Sequence, residues 1–223
     1  MGYIVFLFIL PILIFYVDIP LAYWFSQLPN EILYVSNVIT KFGSFKYIAG
    51  TNVILFIYFF YKCTKKELDK YIYLFYLFSF SIITQGISAF MIQILKCIFG
   101  RTRPYHYIEM NGILSDFLFF QTNDRFVSFP SGHSAGTWGF IVCMFFVFGK
   151  NKWTKILAMF GMLVPITRMI LLKHYLSDIL TGSILSSIMC FYCMKWYLKN
   201  EDNSRYIGVI KNNFNRWFFH KKY

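Results

Sequence analysis

Residues 71–95 read YIYLFYLFSFSIITQGISAFMIQIL, a run of 25 positions without a charged side chain. Wound as a helix at ~1.5 Å per residue, it is longer than the ~30 Å hydrocarbon core of a bilayer. A helix apolar on every side belongs in a membrane or deep inside a large core. The stretch predicts a membrane span, and the composition agrees: 57% of the 223 residues are hydrophobic and only 14% are charged, where a soluble domain carries about 25% charge. Working outward, further apolar segments cover roughly 46–61 and 2–17 upstream, and 133–149, 156–172 and 175–197 downstream. The expectation is an all-α integral membrane protein, a six-transmembrane-helix bundle forming a single membrane-embedded domain over residues 1–223.

The first segment falls short of the bilayer thickness unless it runs past Asp18. It lacks the basic start and small-residue cleavage site of a signal peptide, so a span is the better reading. Residues 18–45, with Trp24 and the pattern EILYVSNVITKF, predict a short amphipathic segment lying along the interface after that span.

Charge orients the bundle. Lys and Arg number 22 against 10 Asp and Glu, a net charge of +12, and 14 of the 22 fall within 62–70, 150–155 and 195–223. With six spans those three regions share one side with the N-terminus. The positive-inside rule makes that side cytoplasmic, along with both termini. Topology thus accounts for the basic charge, and no nucleic-acid partner is expected. The aromatic and basic tail NNFNRWFFHKKY is expected to rest on anionic headgroups.

The same parity gathers polar groups on the opposite face. Lys96 and Arg103 follow the third span, Arg168 ends the fifth, the phrase FPSGHSAGT (129–137) opens the fourth, and His174 and Asp178 open the sixth. Three cations in or beside a low-dielectric layer are costly without counter-charge. Asp178 is the one acid read into the cluster, so the deficit calls for an anion. Arg offers a planar fork to phosphate oxygens and Lys a point charge. Pro130, Ser131 and Gly132 lead into a helix whose first N–H groups have no internal partner, a ready anion site; the plain alternative is an ordinary N-cap. His174 and Asp178, spaced i, i+4, put a carboxylate beside an imidazole, which suits a nucleophilic or basic histidine. His133, beside the anion site, can act as a general acid. A metal held by His133, His174 and Asp178 would sit among three cations that repel it, so no metal and no other cofactor is expected.

The stretches KCIFGRTRP (96–104), PSGH (130–133) and TRMILLKHYLSD (167–178) resemble the three signature motifs of the type 2 phosphatidic acid phosphatase family. The one departure is Thr167 where the family has Ser, which keeps the hydroxyl. The resemblance implies a membrane phosphatase working without a metal. It implies that His174 attacks phosphorus to form a phosphohistidine, that Asp178 orients it, and that His133 protonates the leaving alcohol and later activates water. It also implies that Lys96, Arg103, Ser131, Gly132 and Arg168 hold the phosphate oxygens. A pocket at headgroup depth points to a phosphorylated membrane lipid as substrate, on the periplasmic face of a bacterial inner membrane. Lipid A is favoured, with undecaprenyl diphosphate, phosphatidylglycerol phosphate and phosphatidic acid as alternatives. A lipid phosphotransferase using the same intermediate is the rival reaction. No obligate protein partner is evident.

Arg168 and His174 are six apart, about 240° around a helix at ~100° per residue. A break must therefore fall between them, with Pro165 a possible kink before it. Arg101 and His106 are expected to be ordinary loop residues, the alternative being contact with a second phosphate or a sugar. The connector 105–129 overhangs the site and its FLFF can enter the interface, while the five cysteines read as unpaired apolar residues.

Overall fold

A computed structural model describes residues 2–65, 68–113 and 117–200, and its described residues are helical apart from connecting loops and one isolated bridge between Arg101 and Phe117. The order is α1 (Gly2–Ile12), a π turn (Leu13–Val17), α2 (Asp18–Ser26), α3 (Asn30–Phe42), α4 (Phe45–Thr64), α5 (Leu68–Phe99), α6 (Pro104–Glu109), a 3-10 turn (Asp124–Phe126), α7 (Gly132–Phe148), α8 (Lys152–Ile170) and α9 (Leu176–Asn200). Five stretches among these residues are long and apolar enough to cross a bilayer: Ile4–Ser26, Asn30–Thr64, Leu74–Phe99, Lys152–Ile170 and Leu176–Lys199. The apolar helix Gly132–Phe148 is shorter, at 17 residues. The tail proposed to rest on headgroups lies outside the described residues.

The first span corrects the expected boundaries. It does not stop at residue 17 but continues through the π turn to Ser26, 23 residues from Ile4 and about 35 Å of helix. The interfacial segment expected over 18–45 therefore loses its first part, and its amphipathic portion is α3. The ladder loosens where the Asp18 N–H bonds Leu13 O, five residues back, between Pro11 and Pro20. Asp18 is left facing the bundle, 1% exposed.

Helices α5, α7 and α9 form the centre. Leu77, Phe78 and Phe80 meet Val142, Cys143 and Phe146 from α7 and Cys190, Met194 and Leu198 from α9. Inside a bilayer lipid is as apolar as Leu, so close packing rather than water exclusion holds helices together, and small residues set the approach. A Cβ on Gly139 would collide with Ser186, and one on Gly161 with Ile141. Outward-facing Phe8, Phe15, Ile54, Phe90 and Met159 are exposed; such a surface would aggregate in water but suits lipid. All five cysteines are free.

Around this centre, α4 lies along α5 and α8 along α7, while α3 crosses the far end of α8. Gly43 sits against Val164 there, with no room for a side chain.

Candidate active site

The break demanded between Arg168 and His174 is present. Helix α8 ends with paired bonds, Leu172 N–H to Met169 O at 2.9 Å and Lys173 N–H to Arg168 O at 3.0 Å, with Leu172 in the left-handed region at φ 52°. This is a Schellman ending built without glycine. The chain reverses and α9 starts at Leu176, so Pro165 lies inside α8 and upstream of the break.

His174 consequently lies in the turn before α9, not on its first turn as expected. Its Nδ1 is 2.8 Å from Ser128 O and 3.6 Å from Asp178 Oδ2. A carbonyl only accepts, so Nδ1 carries the proton and Nε2 keeps its lone pair. Asp178 Oδ2 accepts from Ser128 Oγ at 2.6 Å and from Tyr175 N–H at 2.8 Å. The second bond closes the first turn of α9 like half a capping box. Ser128 thus links carboxylate and imidazole, a role that nothing in RFVSF advertised. Burial pushes the His174 imidazole down to about 3 against the raising effect of Asp178, and Lys96 and Arg168 push with burial. The ring is neutral at ordinary pH.

Arg101 lies in the loop between α5 and α6 but is not an ordinary loop residue. It is fully buried and donates to Ser177 Oγ at 2.6 Å, Asp178 Oδ1 at 2.7 Å and Asp18 Oδ2 at 3.0 Å. Its guanidinium lies 4.1 Å from the Tyr175 ring centre and 5.2 Å from that of Phe117. Ser177 closes the network, bonding Asp18 through both its N–H and its hydroxyl. Arg101 therefore serves Asp178 from behind, as a positioning residue. His106 is equally local: it packs edge-on against Phe126 and faces Glu109.

Asp178 is also not the lone acid. Asp18 pairs with Arg101, and Asp124 takes Arg103 through its carboxylate at 2.7 Å and its carbonyl at 2.6 Å. The Asp124 carboxylate is 78% exposed, leaving that pair open to exchange for another anion. No described carboxylate pairs with Lys96 or Arg168. Among the described residues Arg168 reaches only Thr40 Oγ1, at 3.5 Å, and its Nε is buried with no partner among them. The charge deficit is smaller than the sequence suggested, yet two cations remain uncompensated.

The α7 entrance is a true N-cap. Ser131 Oγ accepts from Ser134 N–H at 3.4 Å and Ser134 Oγ at 2.9 Å, while Ser131 N–H is taken by Asp178 O at 3.0 Å. Ser131 thereby fastens α7 to α9. Gly182 makes that contact possible, because a Cβ there would strike Ser131 O. Gly132 differs: a Cβ would meet nothing nearer than Ile92 at 3.8 Å. The fold itself does not need that glycine, and its N–H and that of His133 lack intrahelical partners. Lys96, Gly132 and His133 line one cavity of about 330 Å³ between α5 and α7, with Gln85, Ser88 and Gln93 deeper in. Thr167, in place of the family's serine, bonds Val164 O at 2.7 Å.

An imidazole nitrogen with its lone pair available, a second histidine at a helix N-terminus and two cations without a described carboxylate partner are parts from which a phosphoryl-transfer site can be built. Comparison with known proteins agrees. The family profile described as the PAP2 superfamily matches residues 70–202. The lipid A 1-phosphatase of Rhizobium johnstonii is 28% identical over 179 residues, covering 75% of this chain and 72% of that one. The lipid A 1-phosphatase of Rhizobium etli is 27% identical, covering 75% of each. The crystal structure of a transmembrane PAP2-type phosphatidylglycerolphosphate phosphatase from Bacillus subtilis shares the fold, with a TM-score of 0.65 over 91% of this chain and 96% of that one at 21% identity.

Proposed function

Because the chain belongs to the PAP2 superfamily, we propose that this membrane lipid phosphatase removes the 1-phosphate of lipid A through a phosphohistidine at His174. One observation carries the mechanism: Nδ1 is held by Ser128 O, which leaves Nε2 free beside uncompensated cations. Nε2 attacks phosphorus and its lone pair forms the N–P bond as the P–O bond to the lipid breaks. His133 gives its proton to the departing oxygen. Neutral again as a base, His133 then takes a proton from water, whose oxygen attacks the phosphohistidine and releases inorganic phosphate and His174.

Lys96, Arg103, Arg168 and the Gly132 and His133 N–H groups hold the phosphate oxygens, stabilising the charge that builds in the transition state. Ser131 sets the helix end through the two bonds its oxygen accepts, which leaves its own O–H to donate to a phosphate oxygen. These donors supply the positive charge a divalent ion provides elsewhere, so no metal takes part. The fourteen basic residues that the sequence gathers within 62–70, 150–155 and 195–223 support, by the positive-inside rule, a periplasmic active site in the inner membrane, with both termini cytoplasmic. The names of the curated relatives support lipid A as substrate.

The test is phosphate release by purified protein from lipid A, undecaprenyl diphosphate, phosphatidylglycerol phosphate and phosphatidic acid, with EDTA present and no added alcohol. Release fastest from lipid A is expected. Release only when an acceptor alcohol is supplied would make the protein a phosphotransferase, and no release from any lipid would overturn the reading.

A further inference from the structure

A second cavity, about 700 Å³, opens between α4, α7 and α8 on another face of α7. Most of its wall is hydrocarbon, including Leu55, Ile141 and Phe160. Its wall includes residues one helical turn from the proposed phosphate site. Thr137 lies one turn beyond His133 on α7, and Val164 one turn before Arg168 on α8. Lys41, also in its wall, follows Thr40, the hydroxyl that Arg168 reaches.

Two buried polar groups in this wall have nothing to bond. Asn52 is 3% exposed and Thr137 8%, and neither Asn52 Nδ2 nor Thr137 Oγ1 has a hydrogen-bond partner. Their depth matches. Thr137 follows the start of α7 at Gly132, and Asn52 the start of α4 at Phe45; at ~1.5 Å per residue both lie about 8–11 Å below the helix ends. A lipid phosphorylated at those ends places its ester or amide carbonyls and any chain hydroxyl at this level. A polyprenyl chain places only CH and CH₂ groups there. The Asn52 amide N–H₂ is a donor and needs an oxygen, whereas hydrocarbon would leave it stranded.

We infer that this cavity receives the fatty-acyl part of the substrate, with Asn52 and Thr137 hydrogen-bonding an acyl carbonyl or chain hydroxyl, so that the enzyme selects acylated lipid phosphates over polyprenyl ones. The inference rests on the lipid-phosphatase reading and adds the residues that choose among lipids. A site built to bond a substrate oxygen rejects an analogue without one far more strongly than a plain apolar pocket rejects a misfit.

The test compares lipid A with undecaprenyl diphosphate for wild type, Asn52→Leu, Thr137→Val and Thr137→Ser, alongside ligand-free thermal unfolding. Wild type should favour lipid A by about 100-fold in kcat/KM. Asn52→Leu and Thr137→Val should each cut that preference about tenfold through lipid A alone. Both should also melt slightly higher, because an unpaired buried polar atom has gone. Thr137→Ser keeps the hydroxyl and should keep the preference. Lower melting temperatures with unchanged selectivity would mark both side chains as structural and overturn the inference. Equal hydrolysis of both lipids by wild type would overturn it while sparing the phosphatase reading. If neither lipid is hydrolysed the inference falls, and the phosphatase reading falls with it only if phosphatidylglycerol phosphate and phosphatidic acid are left intact as well.

Discussion

Replacing Arg101 with Met should lower the melting temperature by about 10 °C, although Arg101 touches no substrate. The side chain joins α2 to α9 through bonds to Asp18, Ser177 and Asp178, with both carboxylates fully buried. Met fills much of the volume but leaves two carboxylates in low dielectric without their cation. Removing one partner of a buried pair costs about 3–5 kcal/mol. For a chain of this size each kcal/mol is worth roughly 2–4 °C, which gives about 6–20 °C. Asp18→Asn should cost less, since Arg101 keeps Asp178 and the amide oxygen still accepts. The double substitution should cost less than the sum of the singles, because the residues share one network. Thermal unfolding in detergent, followed by near-ultraviolet circular dichroism, reads all three. A melting temperature for Arg101→Met within about 2 °C of wild type would refute the network.

The two glycines flanking the α7 entrance should respond oppositely. Gly132→Ala should fold normally but lose at least about 100-fold in kcat, since its Cβ takes phosphate space and meets only Ile92 in the protein. Gly182→Ala should instead lower the melting temperature, as its Cβ strikes Ser131. Ser128→Ala keeps the carbonyl that holds His174 and should cost about tenfold in kcat, whereas Asp178→Asn also weakens the Arg101 network and should lose both stability and rate. Stability should fall on acidification. The folded His174 titrates at about 3 and an unfolded histidine near 6.5, so the unfolded chain binds the extra proton between those values. The stabilisation is complete above about pH 6.5 and shrinks by up to about 1.4 kcal/mol per unit below it. His174→Gln should flatten that slope in melts taken from pH 7 to 4.5, and an unchanged slope would assign it elsewhere.

The residues proposed to meet phosphate were legible because each motif is short and sits at a helix end whose side of the membrane follows from counting spans. Lys96, the PSGH turn and Arg168 needed only spacing and parity. What escaped was the support behind them. Asp18 lies 83 residues from Arg101 and 159 from Ser177 in sequence, and no periodicity connects such positions. Asp18 directly follows the apolar run 2–17, where a lone carboxylate is costly in lipid; the chain keeps it there by burying Arg101 against it. A charge inside an apolar run was the available signal, since such a residue must have a partner. Ser128 acts largely through its backbone carbonyl, which residue type does not reveal. Gly182 looked like any small residue in a span until α7 was packed on it.

The central claim is a covalent bond between phosphorus and His174. Lipid A carrying ³²P at its 1-phosphate, mixed with enzyme and quenched within a turnover in alkaline detergent, should leave label on protein that is stable to base and lost in acid. The labelled peptide should contain His174, and His174→Ala should bind no label while remaining folded. Rapid hydrolysis with no trapped label, or label retained by His174→Ala, would contradict the account.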